Sequence, residues 1–316
     1  LAVTGSDPYL RDGSDVTFIF EIASQTIFDT ELTRHLTDWQ SKVEGVTKTE
    51  LVHNGRVITV HTDPRGLVRQ HRAQIDKLAI LSNSAEACKR VIDAIEGRGP
   101  RLADEPDMRY MLARDAGQHD AFAFIGDRFV ASVVGPQQKI QQARRMRAGA
   151  ELASPGYAAL LFGWMKGRAP ASTKELIDAG VLRAEELAHA DGSAIEFTPG
   201  TAARSPWGRT DALRPRIELP AVEEVTEAER QAYDRFSQEY QHYWRQFIDP
   251  IAVRLDFEGD VATIDVRVLP LIEGTNYRDI EQVVGNQRIT VPAIDDGLQA
   301  VWSVGKDTEL RRDLDR

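Results

Sequence analysis

With 316 residues, 42% of them hydrophobic and 28% charged, the chain can bury the core of one large domain or two smaller ones, which excludes disorder or coiled coil as a description of the whole. The 49 acidic residues outnumber the 39 Lys and Arg and leave a formal charge of −10, a field that repels a phosphate backbone and argues against nucleic acid as a partner. The single cysteine, Cys88, excludes an internal disulfide framework and most cysteine-based metal sites.

Asp12-Gly13-Ser14-Asp15 reads as a turn into a strand, where Val16, Phe18, Phe20 and Ile22 alternate. Phe28, Leu32, Leu36, Trp39 and Val43 then recur at helical spacing and close at Gly45. Two short strands flank Asn54-Gly55, a dipeptide that accepts the positive φ angles of a type I′ turn; Val52 is then opposite Val57, His53 opposite Arg56 and His61 opposite Lys48. Leu78–Leu81 is a further strand. Asn83 with Glu86 predicts a capped helix with the apolar stripe Cys88, Val91, Ile92 and Ile95, ended by Gly97. Another capped helix begins near Asp104, and DAFAFI at Asp120–Ile125 returns as a strand of the same layer.

Gly135-Pro136 is the predicted domain boundary. Beyond it, Gln137–Leu152 is a basic helix, Tyr157–Met165 is a second helix set off by Ser154-Pro155-Gly156, and Thr173–Ala179 is a third. The stretch Asp191–Pro220 carries Pro199, Pro206, Pro215 and Pro220, which exclude long helices and central strands; loops of this length usually serve a function. Thr226 with Glu229 opens a long helix ending at Asp249-Pro250, followed by a hairpin whose strands alternate at Ile251, Val253, Leu255, Phe257 and at Ala262, Ile264, Val266, Val268. The fold expected is α+β: antiparallel sheets with helices packed on one face, plus a helical and loop-rich middle. The division expected is residues 1–135, 136–225 and 226–316.

The run ILSNSAEACKRVIDAIEGRGPRLADEPDMRYMLA at Ile80–Ala113, followed by DAFAFIGD at Asp120–Asp127, resembles the bacterial family of unknown function DUF3352, over roughly residues 15–135. The resemblance implies an exported or cell-envelope protein and carries no activity. DPIAVRL and VLPLIEGTNYRDI, at Asp249–Leu255 and Val268–Ile280, look like the distal part of large bacterial proteins. PASTKELIDAGVL with SPWG at Ser205–Gly208 is similar to a run in type II secretion pseudopilins, but Ser205 stands where those carry Asp.

No HExxH, paired Cys/His spacing, GxSxG, phosphate-binding loop or dinucleotide fingerprint is present, so no catalytic, cofactor-binding or metal residue is assigned, and folding is expected to need no metal. His35, His53, His61, His71, His119, His189 and His242 form no ligand set by spacing. Among the carboxylates, Asp104, Glu105 and Asp107 suit a helix start, Glu223 and Glu224 precede another, and Asp295 with Asp296 lie in a Pro/Gly-flanked loop, solvated by default with cation binding as the alternative. Cys88 reads as an inert core thiol.

Two features carry more. Lys139, Arg144, Arg145 and Arg147 give one helix a basic face, solvated by default or a contact for an acidic partner or anionic lipid; with Trp207 they are the candidate partner-binding residues. Tyr233, Phe236, Tyr240, Tyr243, Trp244 and Phe247 mark one helix face, read as core docked on the following hairpin, with an exposed binding platform as the alternative. The expected function is a non-enzymatic binding or scaffold module of the bacterial envelope. The alternatives are a hydrolase with its site near Asp191–Pro220, or a subunit of a large assembly. No segment is long and apolar enough to span a bilayer: YAALLFGWM at Tyr157–Met165 is the longest run, against the ~20 residues required.

Overall fold

A computed structural model describes residues 1–7, 13–113, 119–242, 249–259 and 261–269. The chain forms two compact units, each built from two separate stretches: residues 1–102 with 133–226, and residues 103–132 with the chain from 227 onward. This differs from the expected break at Gly135-Pro136, because the expectation assumed that neighbours in sequence share a layer.

The first unit holds strands β1 (Ala2–Thr4) and β2 (Thr17–Glu21), helix α1 (Gln25–Lys42), strands β3 (Thr47–His53), β4 (Arg56–Thr62), β5 (Arg69–Ile75) and β6 (Leu78–Ser82), and helix α2 (Ala85–Ile95). Its sheet runs β1-β2-β6-β5-β4-β3, with every neighbour antiparallel. The β3–β4 turn is the one the sequence predicts, with φ of +52° at Asn54 and +79° at Gly55, and Val52 opposite Val57. Strand β5 escapes sequence reading. Its sequence RQHRAQI has one β-branched residue, yet His71, Ala73 and Ile75 alternate into the interior.

Ile58, Ala73 and Ile80 are cross-strand neighbours on one sheet face, joined by Val60 and Ile75. Cys88 and Ile92 of α2 close over them, with Leu51, Val91 and Ile95 at the rim. The cap of α2 is Ser84, whose Oγ accepts from the Ala87 amide at 3.4 Å. Asn83, the expected cap, instead accepts from the Val16 amide and donates to the Ser14 carbonyl, both at 2.8 Å, fastening β2 to the helix start. The opposite sheet face meets the first turns of α1, where Phe28 packs on Phe20 with ring centroids 5.4 Å apart and Asp29 pairs with Arg72.

Burial pushes the Cys88 thiol up to about 12, so almost no thiolate forms near neutral pH. Iodoacetamide should leave the native protein unlabelled and react once the chain is unfolded in guanidinium; rapid labelling of the native form would refute the core placement. Burial likewise holds the His71 imidazole below its ordinary range. Its folded pKa is depressed, so its contribution to stability is present above the unfolded value near 6.5 and is lost as pH falls below it. His71→Gln should therefore flatten the fall in stability below pH 6.5, by at most about 1.4 kcal/mol per pH unit. Parallel profiles for variant and parent would contradict this.

The first stretch of the second unit holds α3 (Pro106–Ala113) and β7 (Ala121–Ile125) and most of α4 (Asp127–Val134). The acidic cluster lies at a helix start as expected, Asp104 pairing with Arg109 at 3.0 Å ahead of α3. Helix α5 then runs unbroken from Pro136 to Lys166, correcting the two helices expected on either side of Ser154-Pro155-Gly156. An interior proline removes one amide from the ladder and crowds the carbonyl four residues back, a cost of about 3 kcal/mol. Here Pro155 faces inward between buried Leu152, Ala158 and Phe162, so packing outweighs the local breaker. Gly167, at φ +70°, ends the helix through its amide to the Gly163 carbonyl at 2.8 Å.

Helix α6 (Thr173–Asp178), capped by Ser172, contributes Leu176 to a cluster with Ala158, Phe162 and Leu182. The Asp191–Pro220 stretch is ordered as a small meander of two-residue strands, β8 (Arg204–Ser205), β9 (Gly208–Arg209) and β10 (Ala212–Leu213), with its four prolines outside the strands. Its Ile195 and Ala203 close on Leu152.

In the second unit, α7 (Glu227–His242) precedes strands β11 (Ile251–Glu258) and β12 (Val261–Val268), and the sheet order is β12-β11-β7. DAFAFI therefore does not complete the first sheet. Ala121–Ile125 pairs antiparallel with Leu255–Ile251. Tyr233, Phe236 and Tyr240 are half-buried on α7 and stack in sequence, with ring centroids 6.2 and 6.1 Å apart. Tyr243, Trp244 and Phe247 lie outside the described residues, as do Asp295 and Asp296.

Candidate binding surface

Helix α5 has two unlike faces, and its sequence sets them by period. Ile140, Ala148, Leu152, Ala158 and Phe162 are buried. Of the three guanidiniums near its start, Arg144 and Arg147 are about 60° apart around the helix, whereas Arg145 is turned about 100° from the one and about 160° from the other. Arg147 is exposed, Lys139 and Arg144 are half-buried, and Arg144 donates to the Glu224 carbonyl at 2.6 Å.

Arg145 corrects the expected basic face: its side chain has no exposure. It pairs at 2.8 Å with Asp7, itself fully enclosed, and donates to the carbonyl of Gly13 at 2.9 Å. Arg216 stands 3.5 Å from the same carboxylate, and its burial lowers its pKa despite that partner. Arg145 therefore fastens α5 to the N-terminal segment and is closed to any partner.

Trp207 is half-buried and donates Nε1–H to Asp191 Oδ2 at 2.9 Å. Burial works against ionisation of Asp191, but hydrogen bonds from Ser193 and Trp207 prevail and hold its carboxyl below the ordinary range. Close by in sequence, His189 is buried, with Nδ1 2.7 Å from Glu151 Oε2 and no hydrogen-bond partner at Nε2. A carboxylate orienting an imidazole is half of an acid–base device. Among the described residues, no hydroxyl or thiol is hydrogen-bonded to Nε2 to complete it.

Two concavities flank the Phe197–Thr201 turn. One, of about 520 Å³, is lined by Arg65, Glu196, Arg204, Arg209 and Asp211. Arg209 is bound to Asp211 and to the Arg65 carbonyl, and Arg204 donates to the Pro64 carbonyl at 2.7 Å, so both guanidiniums are engaged within the protein. The other, of about 650 Å³, is a groove lined mostly by small and apolar residues, among them Gly156, Ala159, Leu160 and Phe197, together with Arg168 and Thr201.

Beside that groove the outer face of α5 is apolar and uncovered. Tyr157, Leu160 and Trp164 are 70%, 71% and 84% exposed, and Leu161, Met165 and Met146 are also exposed. Large apolar side chains grouped in this way on one helix face mark an interaction site. Sequence reading missed the face because YAALLFGWM is apolar all round and was cut from the preceding helix. Extending the helix back through Pro155 reveals the spacing.

Among the described residues, no group of three or more His, Cys, Asp or Glu is placed to hold a metal, and no helix is long and apolar enough to cross a membrane. No family model, curated protein or solved structure matches the chain.

Proposed function

We propose that this chain is a non-catalytic binding or scaffold module of the bacterial cell envelope, working as part of a larger assembly. The observation that carries this reading is the uncovered apolar face of α5 from Met146 to Met165, which a surface without partners has no reason to keep. The envelope setting follows from the resemblance of Leu78–Asp127 to the DUF3352 proteins. Of the residues first singled out, Arg147 and Trp207 stay in reach of a partner; Lys139 and Arg144 flank the face, and Arg145 is withdrawn into the interior.

A photo-crosslinking amino acid at Leu160 in cells should capture a discrete partner, either another protein or this chain itself, while one at Glu31 on α1 should not. Equal or absent capture at the two positions would defeat the reading. The hydrolase reading keeps one supporting observation, the Glu151–His189 pair whose buried Nε2 has no hydrogen-bond partner among the described residues, next in sequence to the Asp191–Pro220 stretch. Ester or amide turnover abolished by His189→Gln in a variant that melts like the parent would favour it over the binding role.

A further inference from the structure

The exposed face of α5 has a period of 3.5 residues. Ala143, Met146, Ala150, Ala153, Tyr157, Leu160 and Trp164 fall at alternating steps of three and four, and all but the half-buried Ala153 are exposed. That is the spacing a helix needs to present one seam to another helix over its whole length. The seam is also graded in size, with small residues toward the N-terminus and large ones toward the C-terminus.

We propose that α5 pairs antiparallel with α5 of a second copy of this chain, about a two-fold axis between Ala153 and Ser154. The inference rests on the binding role assigned to this face above. Residues equidistant from that axis meet across it: Trp164 with Ala143, Leu161 (beside the seam) with Met146, Leu160 with the aliphatic stem of Arg147, Tyr157 with Ala150, and Ser154 (beside the seam) with Ala153. Each of the two aromatic rings thus faces an alanine, the large-against-small interdigitation that fills a helix interface without voids. In a two-fold contact every such pair occurs twice, so one gradient serves both halves. A parallel pairing would set Trp164 against Trp164 and Ala143 against Ala143, crowded at one end and hollow at the other.

The area agrees. Two aromatics of roughly 150–250 Å² each and four partly exposed aliphatic side chains offer on the order of 700 Å² per copy. Two copies then bury about 1,400 Å², within the range of stable protein–protein interfaces. A lipid surface is the poorer occupant, since a chain of formal charge −10 is repelled by anionic headgroups.

Sedimentation velocity of the whole chain from about 1 to 100 μM should show a monomer giving way to twice the mass. Trp164→Glu should weaken association at least tenfold without moving the melting midpoint measured on the monomer. Ala143→Trp should weaken it likewise, and the swap Ala143→Trp with Trp164→Ala should restore it, an outcome a merely structural role would not produce. On the otherwise unchanged chain, Ser154→Cys should form a covalent dimer on oxidation and Ala143→Cys should not. A monomer at all concentrations, a covalent dimer through Ala143→Cys, or binding of the monomer to phosphatidylglycerol vesicles in place of dimerisation would each overturn the proposal. If the chain is monomeric yet the Leu160 crosslinker captures a different protein, the pairing fails while the binding role stands.

Discussion

Asp7→Ala should lower the free energy of unfolding by about 3–5 kcal/mol, the cost of leaving buried charge without its counter-ion. The Asp7 and Arg145 side chains have no exposure at all, and Arg216 is 3.5 Å from the same carboxylate. Removing Asp7 leaves two buried guanidiniums facing each other, with the more distant Asp15 carboxylate acting on Arg216 and carbonyl oxygens as their remaining partners. Arg145→Met should also destabilise, though less, because Arg216 still faces Asp7. The double variant Asp7→Ala/Arg145→Met should lose much less than the two single losses combined, since it removes the uncompensated charge along with its partner. Urea unfolding of the four proteins measures the cycle. A single-variant loss within about 0.5 kcal/mol, the ordinary surface range, would place this pair in water and return Arg145 to the basic face.

Two positions two residues apart on α5 should give opposite results. Phe162 is 2% exposed, packs with Leu176 and Leu182, and carries the Arg168 guanidinium 5.3 Å from its ring centre. Phe162→Ala should cost about 3–5 kcal/mol, through lost burial and the cavity left behind. Trp164, the larger side chain, is 84% exposed, and Trp164→Ala should change the stability of the monomer by less than about 0.5 kcal/mol. The comparison belongs at protein concentrations below those that favour association, where partner binding adds nothing to the melting point. Equal losses at the two positions would mean that the outer face is packed within the chain.

What was legible in the sequence follows from the range of the interactions concerned. The Asn54-Gly55 turn, its register, and the α2 stripe of Cys88 and Ile92 depend on residues close together, and all are present. Helix α5 was misread because Ser154-Pro155-Gly156 is a local breaker, and only burial of Pro155 among distant side chains overrides it. Arg145 could not be told from Arg144 and Arg147 by composition. Its burial depends on Asp7, far away in the chain. Strand β5 and the partner of DAFAFI were hidden for the same reason, since each is specified by its neighbours across a sheet rather than by its own residues. The apolar face of α5 was in principle readable, as a 3.5-residue period, once the helix was taken as continuous.

The pairing of β7 with β11 sets an order of events during synthesis. Ala121–Ile125 leaves the ribosome about 125 residues before Ile251–Leu255, the strand that completes its ladder. At roughly 5–20 residues per second this delay is on the order of 6–25 s. For that interval AFAFI, an uncharged strand with open edges on both sides, waits without its native partner, while the stretch preceding it already contains every strand of the first sheet. Chains released before residue 251 would carry this strand permanently unpaired and should aggregate through it. The nascent protein therefore has a defined window in which a holding chaperone would matter, and that window closes when β11 emerges.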